Sequence, residues 1–226
     1  GIDLESMRSK ISKKTKVVFI ANPGNPTGTV LSIDEIEGFI KKISKKIIIV
    51  IDEAYYEYAS YHGFKSSVSL LEKYNNIIVT RSFSKIHALA GARVGYGLAS
   101  KEIISNFNKI RQPFNVNYVA QTMAMESLAD EKYLKKSLEL NNIGMQFLRL
   151  EFKKLGILYI ESYTNFVTVY LGKNAKIVYE ILLSEGVILR PLDNYGLPGY
   201  LRITIGTKDE NAMFIKKLKK SLKTLK

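Results

Sequence analysis

Lys85 stands in the run Arg81-Ser-Phe-Ser-Lys-Ile-His-Ala-Leu-Ala-Gly-Ala-Arg93, one amine among small and hydroxyl side chains with an arginine eight positions on. An amine in that setting can form a Schiff base with an aldehyde, and the hydroxyls and guanidinium beside it suit an anion. The alternative is that Lys85 is one more surface lysine among 27. Asp52 closes the apolar run Ile47-Ile-Ile-Val-Ile-Asp52, so a strand there would bring its carboxylate out at the C-terminal end, where ligands bind open α/β sheets. An aspartate so placed either meets a cationic partner or caps the next turn. Arg202 lies in Tyr200-Leu-Arg-Ile-Thr-Ile-Gly206, and a guanidinium in such a β-rich run is costly unless it meets an anion, from a ligand or from a structural ion pair. His62 and His87 are the only histidines and cysteine is absent, so no metal-ligating set is expected. His87, two residues from Lys85, reads as a pocket-edge residue or as a structural histidine. No Walker or dinucleotide fingerprint is present.

The elements that must position these residues alternate. Strand-like runs at residues 17–21, 47–52, 77–80 and 94–98 are interleaved with helical patterns at 33–43 and 101–110. This predicts an α/β fold with a mostly parallel sheet covered by helices. Ser32-Ile-Asp-Glu35 reads as a capping box that starts a helix near Ile33. Residues 116–155 are helical in pattern with a corner at Ala129-Asp130 and read as a connector between domains. Short strands follow at 158–161, 166–171, 187–189 and 201–205, with helices at 175–184 and 209–225. The last helix has one apolar face (Phe214, Ile215, Leu218, Leu222, Leu225) and a second capping box at Thr207-Lys-Asp-Glu210. The expected division is residues 1–129 as a large domain and 130–226 as the connecting helix with a smaller α+β domain. No internal repeat or low-complexity linker is apparent.

The chain has 226 residues, 46% of them hydrophobic and 24% charged, enough to bury a full core. Its longest unbroken apolar runs, five residues each at 17–21 and 47–51, are too short to span a bilayer, and no secretion signal is visible at the N-terminus. With no cysteine, these features favour the cytoplasm. The net charge of +13 raises the question of nucleic acid. Only seven of the 34 basic residues are arginine, and the lysines fall in pairs at helix-like spacing. They read as solvated helix faces, with no nucleic-acid module beside them.

Three segments carry a resemblance: Asn22-Pro-Gly-Asn-Pro-Thr-Gly28, residues 47–55 ending in Asp-Glu-Ala-Tyr55, and the Lys85 run, in that order at intervals of about thirty residues. They resemble the motifs of fold-type I aminotransferases that use pyridoxal 5′-phosphate, and the likeness reaches from about Val17 to the C-terminus. The resemblance implies that Lys85 carries the cofactor and acts as the general base, and that Asp52 pairs with the pyridine nitrogen. It implies that Tyr55 and Asn25 donate to the ring oxygen and that Ser82, Ser84 and Arg93 hold the phosphate. A cis bond between Asn25 and Pro26 is compatible with that family. Tyr56 and Tyr58 have no implied role and read as packing. Arg202 matches the superfamily's carboxylate-gripping arginine.

The segment Gly186-Val-Ile-Leu-Arg-Pro-Leu-Asp-Asn-Tyr-Gly-Leu-Pro-Gly-Tyr200 is similar to one found in histidinol-phosphate aminotransferases, and makes Arg190 a second arginine near the substrate anion. Asn165, in Tyr163-Thr-Asn-Phe166, matches a family position that orients the substrate or Arg202. The implied activity is transamination between L-histidinol phosphate and 2-oxoglutarate in histidine biosynthesis, by a homodimer. An aromatic-amino-acid aminotransferase is the nearest alternative, then a phosphothreonine decarboxylase, with a non-enzymatic regulator on the same scaffold as the rival of another class. Segments that family members place before the position of Val17 are missing, and the chain starts without methionine, so it is expected to be the C-terminal three-fifths or so of a longer polypeptide.

Overall fold

The computed structural model describes residues 1–224. In chain order the elements are α1 (Leu4–Ser9), β1 (Val17–Ala21), α2 (Ile33–Lys41), β2 (Ile48–Asp52), α3 (Tyr56–Ser60), β3 (Ile77–Ser82), β4 (Gly95–Ala99), α4 (Lys101–Ile110), α5 (Tyr118–Ala129) and α6 (Glu131–Lys154). Then follow β5 (Leu158–Ile160), β6 (Phe166–Tyr170), α7 (Ala175–Ser184), β7 (Arg190–Pro191), β8 (Tyr200–Thr204) and α8 (Lys208–Lys223). Two compact units result. The first holds Gly1–Gly24 and Val30–Lys135, the second Asn25–Thr29 and Lys136–Lys226. The boundary expected after Ala129 falls at the corner between α5 and α6, whereas the units change inside α6, and Asn25–Thr29 count with the second unit.

The first unit is built on a sheet of order β1-β2-β3-β4. β1, β2 and β3 run parallel and β4 closes the sheet antiparallel to β3. Val18 and Ile20 point into a core shared with Ile49, Ile51, Ile77 and Val79, against Ile36, Phe39 and Ile40 of α2. The period-2 strand pattern and the helical spacing of α2 thus face one another across the same apolar layer. The Ser32–Glu35 capping box forms as expected, and α2 stops at Lys41, two residues before the expected end. The register matters more than the cover. Ala21 is level with Asp52, and Asp52 with Thr80, so the parallel strands end together and everything that follows them emerges along one edge.

The second unit has an antiparallel sheet of order β5-β6-β8-β7. Its core joins Val167, Val169, Leu201 and Ile203 to Leu148 and Phe152 of α6, Val178 and Leu182 of α7, and Phe214 and Leu218 of α8. The strand expected at 187–189 does not form. Gly186 turns with φ +80° and the Val187 amide is spent on the carbonyl of Leu182 at the end of α7, so pairing with β8 begins only at Arg190. Val187 and Leu189 are buried all the same, which is why they read as a strand. The Thr207–Glu210 capping box starts α8. Leu225, assigned to its apolar face, lies outside the described residues.

Candidate active site

Asn22 leads out of β1. Its amide N–H donates to the carbonyl of Asp52, and its side chain grips Leu31 from both sides, Nδ2 to the Leu31 carbonyl at 3.0 Å and Oδ1 from the Leu31 amide at 2.7 Å. One asparagine thus clamps the two ends of the loop that carries Asn25. Both Asn22-Pro23 and Asn25-Pro26 are cis.

At the end of β2 the exposed Asp52 accepts the Ala54 amide on Oδ1 at 3.0 Å. The turn-capping alternative is therefore realised, and it uses one carboxylate oxygen. Among the described residues Asp52 has no ion pair, so its charge is available to a ligand. Tyr55 is buried at the start of α3, and the Lys85 ammonium lies 5.1 Å from its ring centroid.

β3 delivers Ser82, and the chain then turns through Ser84 and Lys85. Phe83 and Ile86 anchor this turn in the interior, so the alternate residues Ser84 and Lys85 are left half-buried. Lys85 Nζ makes no hydrogen bond or ion pair among the described residues. Ser82 Oγ accepts the Ser84 amide at 3.0 Å, which leaves its hydroxyl hydrogen free to donate. Arg93 closes the loop with φ +54°, a left-handed conformation also taken by Ala88 at +56°. For a residue with a Cβ this costs about 1–2 kcal/mol, and such strain tends to gather at binding loops. Arg93 is exposed, with Nη1 on the carbonyl of Ala90. β4 can approach because position 95 is glycine. A Cβ there would lie 2.7 Å from the Arg81 carbonyl oxygen.

Asn25, Arg202, Arg190 and Asn165 belong to the second unit. Arg202 on β8 is flanked by Thr168 of β6 and Arg190 of β7 as direct cross-strand partners. Its guanidinium lies 4.8 Å from the Phe166 ring centroid, Nη1 donates to Asn25 Oδ1, and Nε is buried with no hydrogen-bond partner. The loop of Asn25 is seated by Thr168 Oγ1 donating to the Pro26 carbonyl at 2.6 Å and by the Tyr163 amide donating to that of Gly28 at 2.9 Å. Asn165 is not joined to Arg202. Its carbonyl accepts the Ile205 amide, and no hydrogen bond links the two side chains among the described residues.

Sequence reasoning missed a buried charged cluster in the first unit, next to Asp52 and Ser82 in the chain. Glu53 is 2% exposed and pairs with Arg81, Nη2 to Oε2 at 2.7 Å. Arg81 also lies 3.8 Å from the ring centroid of Tyr56 and 3.6 Å from Glu57, so Tyr56 does more than pack, while Tyr58 is simply buried. Burial pushes the Glu57 carboxyl up, with Arg81 opposing it. The available signal was two charges at the ends of adjacent strands, Glu53 directly after an apolar run and Arg81 at the head of the Lys85 motif. His87 is buried, with Nδ1 2.7 Å from Ser127 Oγ, and burial lowers its pKa.

The model of the family aminotransferase class I and II matches residues 1–218. The chain belongs to this family. It is 46% identical to histidinol-phosphate aminotransferase 1 of Idiomarina loihiensis over 97% of its own length and 60% of the relative's. It is 44% identical to histidinol-phosphate aminotransferase 1 of Nitrosococcus oceani, over 96% and 59% respectively. The chain therefore spans about three-fifths of the length of these curated relatives. Among solved structures, the histidinol-phosphate aminotransferase of Sinorhizobium meliloti in complex with pyridoxal-5′-phosphate matches with a TM-score of 0.89 at 29% identity, over 99% of this chain and 62% of the other. The fold-type I expectation is met, as a mixed α/β fold with a parallel-rich first sheet. No helix among the described residues is long and apolar enough to cross a membrane, and no cluster of potential metal ligands occurs among them.

Proposed function

We propose that this chain is part of a pyridoxal phosphate-dependent aminotransferase that exchanges the amino group of L-histidinol phosphate with 2-oxoglutarate in histidine biosynthesis. The observation that carries the substrate assignment is Arg202, whose buried Nε lacks a partner while a second arginine, Arg190, stands opposite it. A buried guanidinium N–H without an acceptor awaits an anion. Two forks suit a phosphomonoester in one half-reaction and a carboxylate in the other. The relatives named as histidinol-phosphate aminotransferases support the same choice.

The donor set of the first unit fits the cofactor. Lys85 offers an amine held by no ion pair, Asp52 a carboxylate with no cation beside it, and Ser82, Ser84 and Arg93 two hydroxyls and a guanidinium on one loop. When bound, pyridoxal phosphate supplies an aldehyde that condenses with amines and a ring that accepts electrons. Lys85 would hold that aldehyde and would serve as the base for the proton on the substrate Cα. The Asp52 carboxylate would pair with the protonated pyridine nitrogen. Tyr55 would donate its hydroxyl to the ring oxygen, and Asn25 of the second unit offers Nδ2 for the same kind of bond, since its Oδ1 is engaged by Arg202. Ser82 and Ser84 would donate hydroxyls, and Arg93 charge, to the phosphate.

The reading extends to a homodimer in the cytoplasm. Ile110, Phe114, Tyr118 and Val119 at the α4–α5 junction are between 65% and 96% exposed, an apolar stretch that a second copy would cover. The assignment is tested by assaying the full-length protein that carries this chain with histidinol phosphate and with phenylalanine, each against 2-oxoglutarate. A preference for histidinol phosphate is expected, and a preference for phenylalanine makes it an aromatic-amino-acid aminotransferase.

A further inference from the structure

Glu53 and Arg81 are buried charges that none of the steps above uses. Glu53 follows Asp52 and Arg81 precedes Ser82, so each is the chain neighbour of a proposed cofactor ligand. Oε2 of Glu53 accepts hydrogen bonds from Arg81 Nε at 2.9 Å and Ser66 Oγ at 2.8 Å and lies 2.7 Å from Arg81 Nη2, and Oε1 accepts the Ser67 amide at 2.6 Å. Arg81 Nη2 also donates to Ser66 Oγ at 2.9 Å. Donors converge on both oxygens, a pattern that only a carboxylate accepts in full, since an amide would turn one acceptor into a donor. The guanidinium carbon of Arg81 lies 3.8 Å from the Tyr56 ring centroid, and the side chain is only 11% exposed.

Successive side chains of an extended segment point to opposite faces. Fixing Glu53 in the interior therefore fixes the direction in which Asp52 leaves the strand end, and fixing Arg81 does the same for Ser82. The backbone link from the Glu53 amide to the Thr80 carbonyl, 2.9 Å, ties the same two strand ends. An apolar pair could also glue β2 to β3, but it would not set orientation, whereas a fork with several bonds to one carboxylate does.

We propose that Glu53 and Arg81 are positioning residues, a buried ion pair that sets the placement of Asp52 relative to the Ser82–Lys85 turn. The proposal rests on the cofactor site described under Proposed function. It differs from a stabilising role because replacing a buried ion pair by apolar residues of similar size often leaves stability unchanged.

The test uses the full-length protein carrying this chain, loaded with pyridoxal phosphate, and compares wild type, the double variant Glu53→Leu/Arg81→Met, Arg81→Lys and Lys85→Ala. Thermal melting, the visible absorption band of the lysine-bound cofactor, kcat and KM are read for each. The double variant is expected to fold but to melt several degrees lower, because the buried Ser67 amide loses its acceptor, while its visible band shifts or weakens and kcat falls by about tenfold to a hundredfold, the cost of displacing reacting groups by about an ångström. KM should change little. Arg81→Lys, which keeps the charge without the fork, is expected to lie between the two. A folded double variant with wild-type band and kcat overturns the proposal, and if the double variant does not fold, wild-type behaviour of Arg81→Lys does so. Absence in wild type of any visible band that Lys85→Ala abolishes overturns the underlying site, and the proposal falls with it for that separate reason.

Discussion

Arg190 and Arg202 stand directly opposite one another on antiparallel β7 and β8. Like charges in that position repel, and their burial differs. Arg202 is half-buried with Nε unpartnered, whereas Arg190 is exposed. The two should therefore be unequal in use. Arg202→Ala should lower kcat/KM in both half-reactions by about thirtyfold to several hundredfold, as expected for about 2–4 kcal/mol of buried charged hydrogen bonding. Arg190→Ala should cost about fivefold, an exposed-pair effect of about 1 kcal/mol, and only with the phosphorylated substrate. Single-turnover rates with glutamate and with histidinol phosphate separate the half-reactions, and a loss confined to one of them for Arg202→Ala would show that the clamp is not shared.

Lys85 makes no ion pair or hydrogen bond among the described residues, so its removal should leave the fold alone. Lys85→Ala is expected to melt within a few degrees of wild type and to lose both the visible cofactor band and transaminase activity. Substantial activity in this variant would rule out Lys85 as the base.

Gly28 has φ +77°, and a Cβ on it would lie 2.0 Å from Ser162 Oγ. Gly28→Ala combines left-handed strain of about 1–2 kcal/mol with an overpacking cost of about 1–3 kcal/mol. A drop of about 2–5 kcal/mol in unfolding free energy is expected by denaturant titration, and weaker cofactor binding would follow from the role proposed for Asn25, which the displaced loop carries. An unchanged midpoint would mean that the loop is not held by this contact.

His87 is buried against Phe83 and Ser127, and its imidazole pKa is lowered. Glu126, Asp130 and Tyr133 line the same open cavity. In the unfolded chain the group titrates near its ordinary value of about 6.5. Below that value the unfolded state binds more protons than the folded one, so stability falls as pH drops through about 6.5 toward the depressed folded value, and levels off below it. Wild type should thus lose more thermal stability than His87→Asn between neutral and mildly acidic pH. Parallel pH curves for the two proteins would exclude His87 as the cause.

The elements that bury a face were legible where a short unbroken apolar run, as at Val17–Ala21, or a capping box ahead of an apolar helical face marked them. Residues 187–189 misled because burial in a core and pairing in a ladder leave the same apolar signature. Lys85, Asp52, Tyr55 and Arg202 were visible as motifs. The Glu53–Arg81 cluster was not, because its partners Ser66 and Ser67 come from a 3-10 turn at Ser67–Glu72 that no periodicity marks. The link from Asn25 to Arg202 joins residues 177 apart in the chain, a separation that only tertiary structure reveals.

The most direct measurement is the absorption spectrum of the full-length protein with pyridoxal phosphate, titrated separately with L-histidinol phosphate and L-phenylalanine. The visible band of the lysine-bound cofactor should convert to the near-ultraviolet band of its aminated form at much lower concentrations of histidinol phosphate. Conversion favoured by phenylalanine would contradict the substrate assignment, and the absence of any visible band would contradict the enzyme itself.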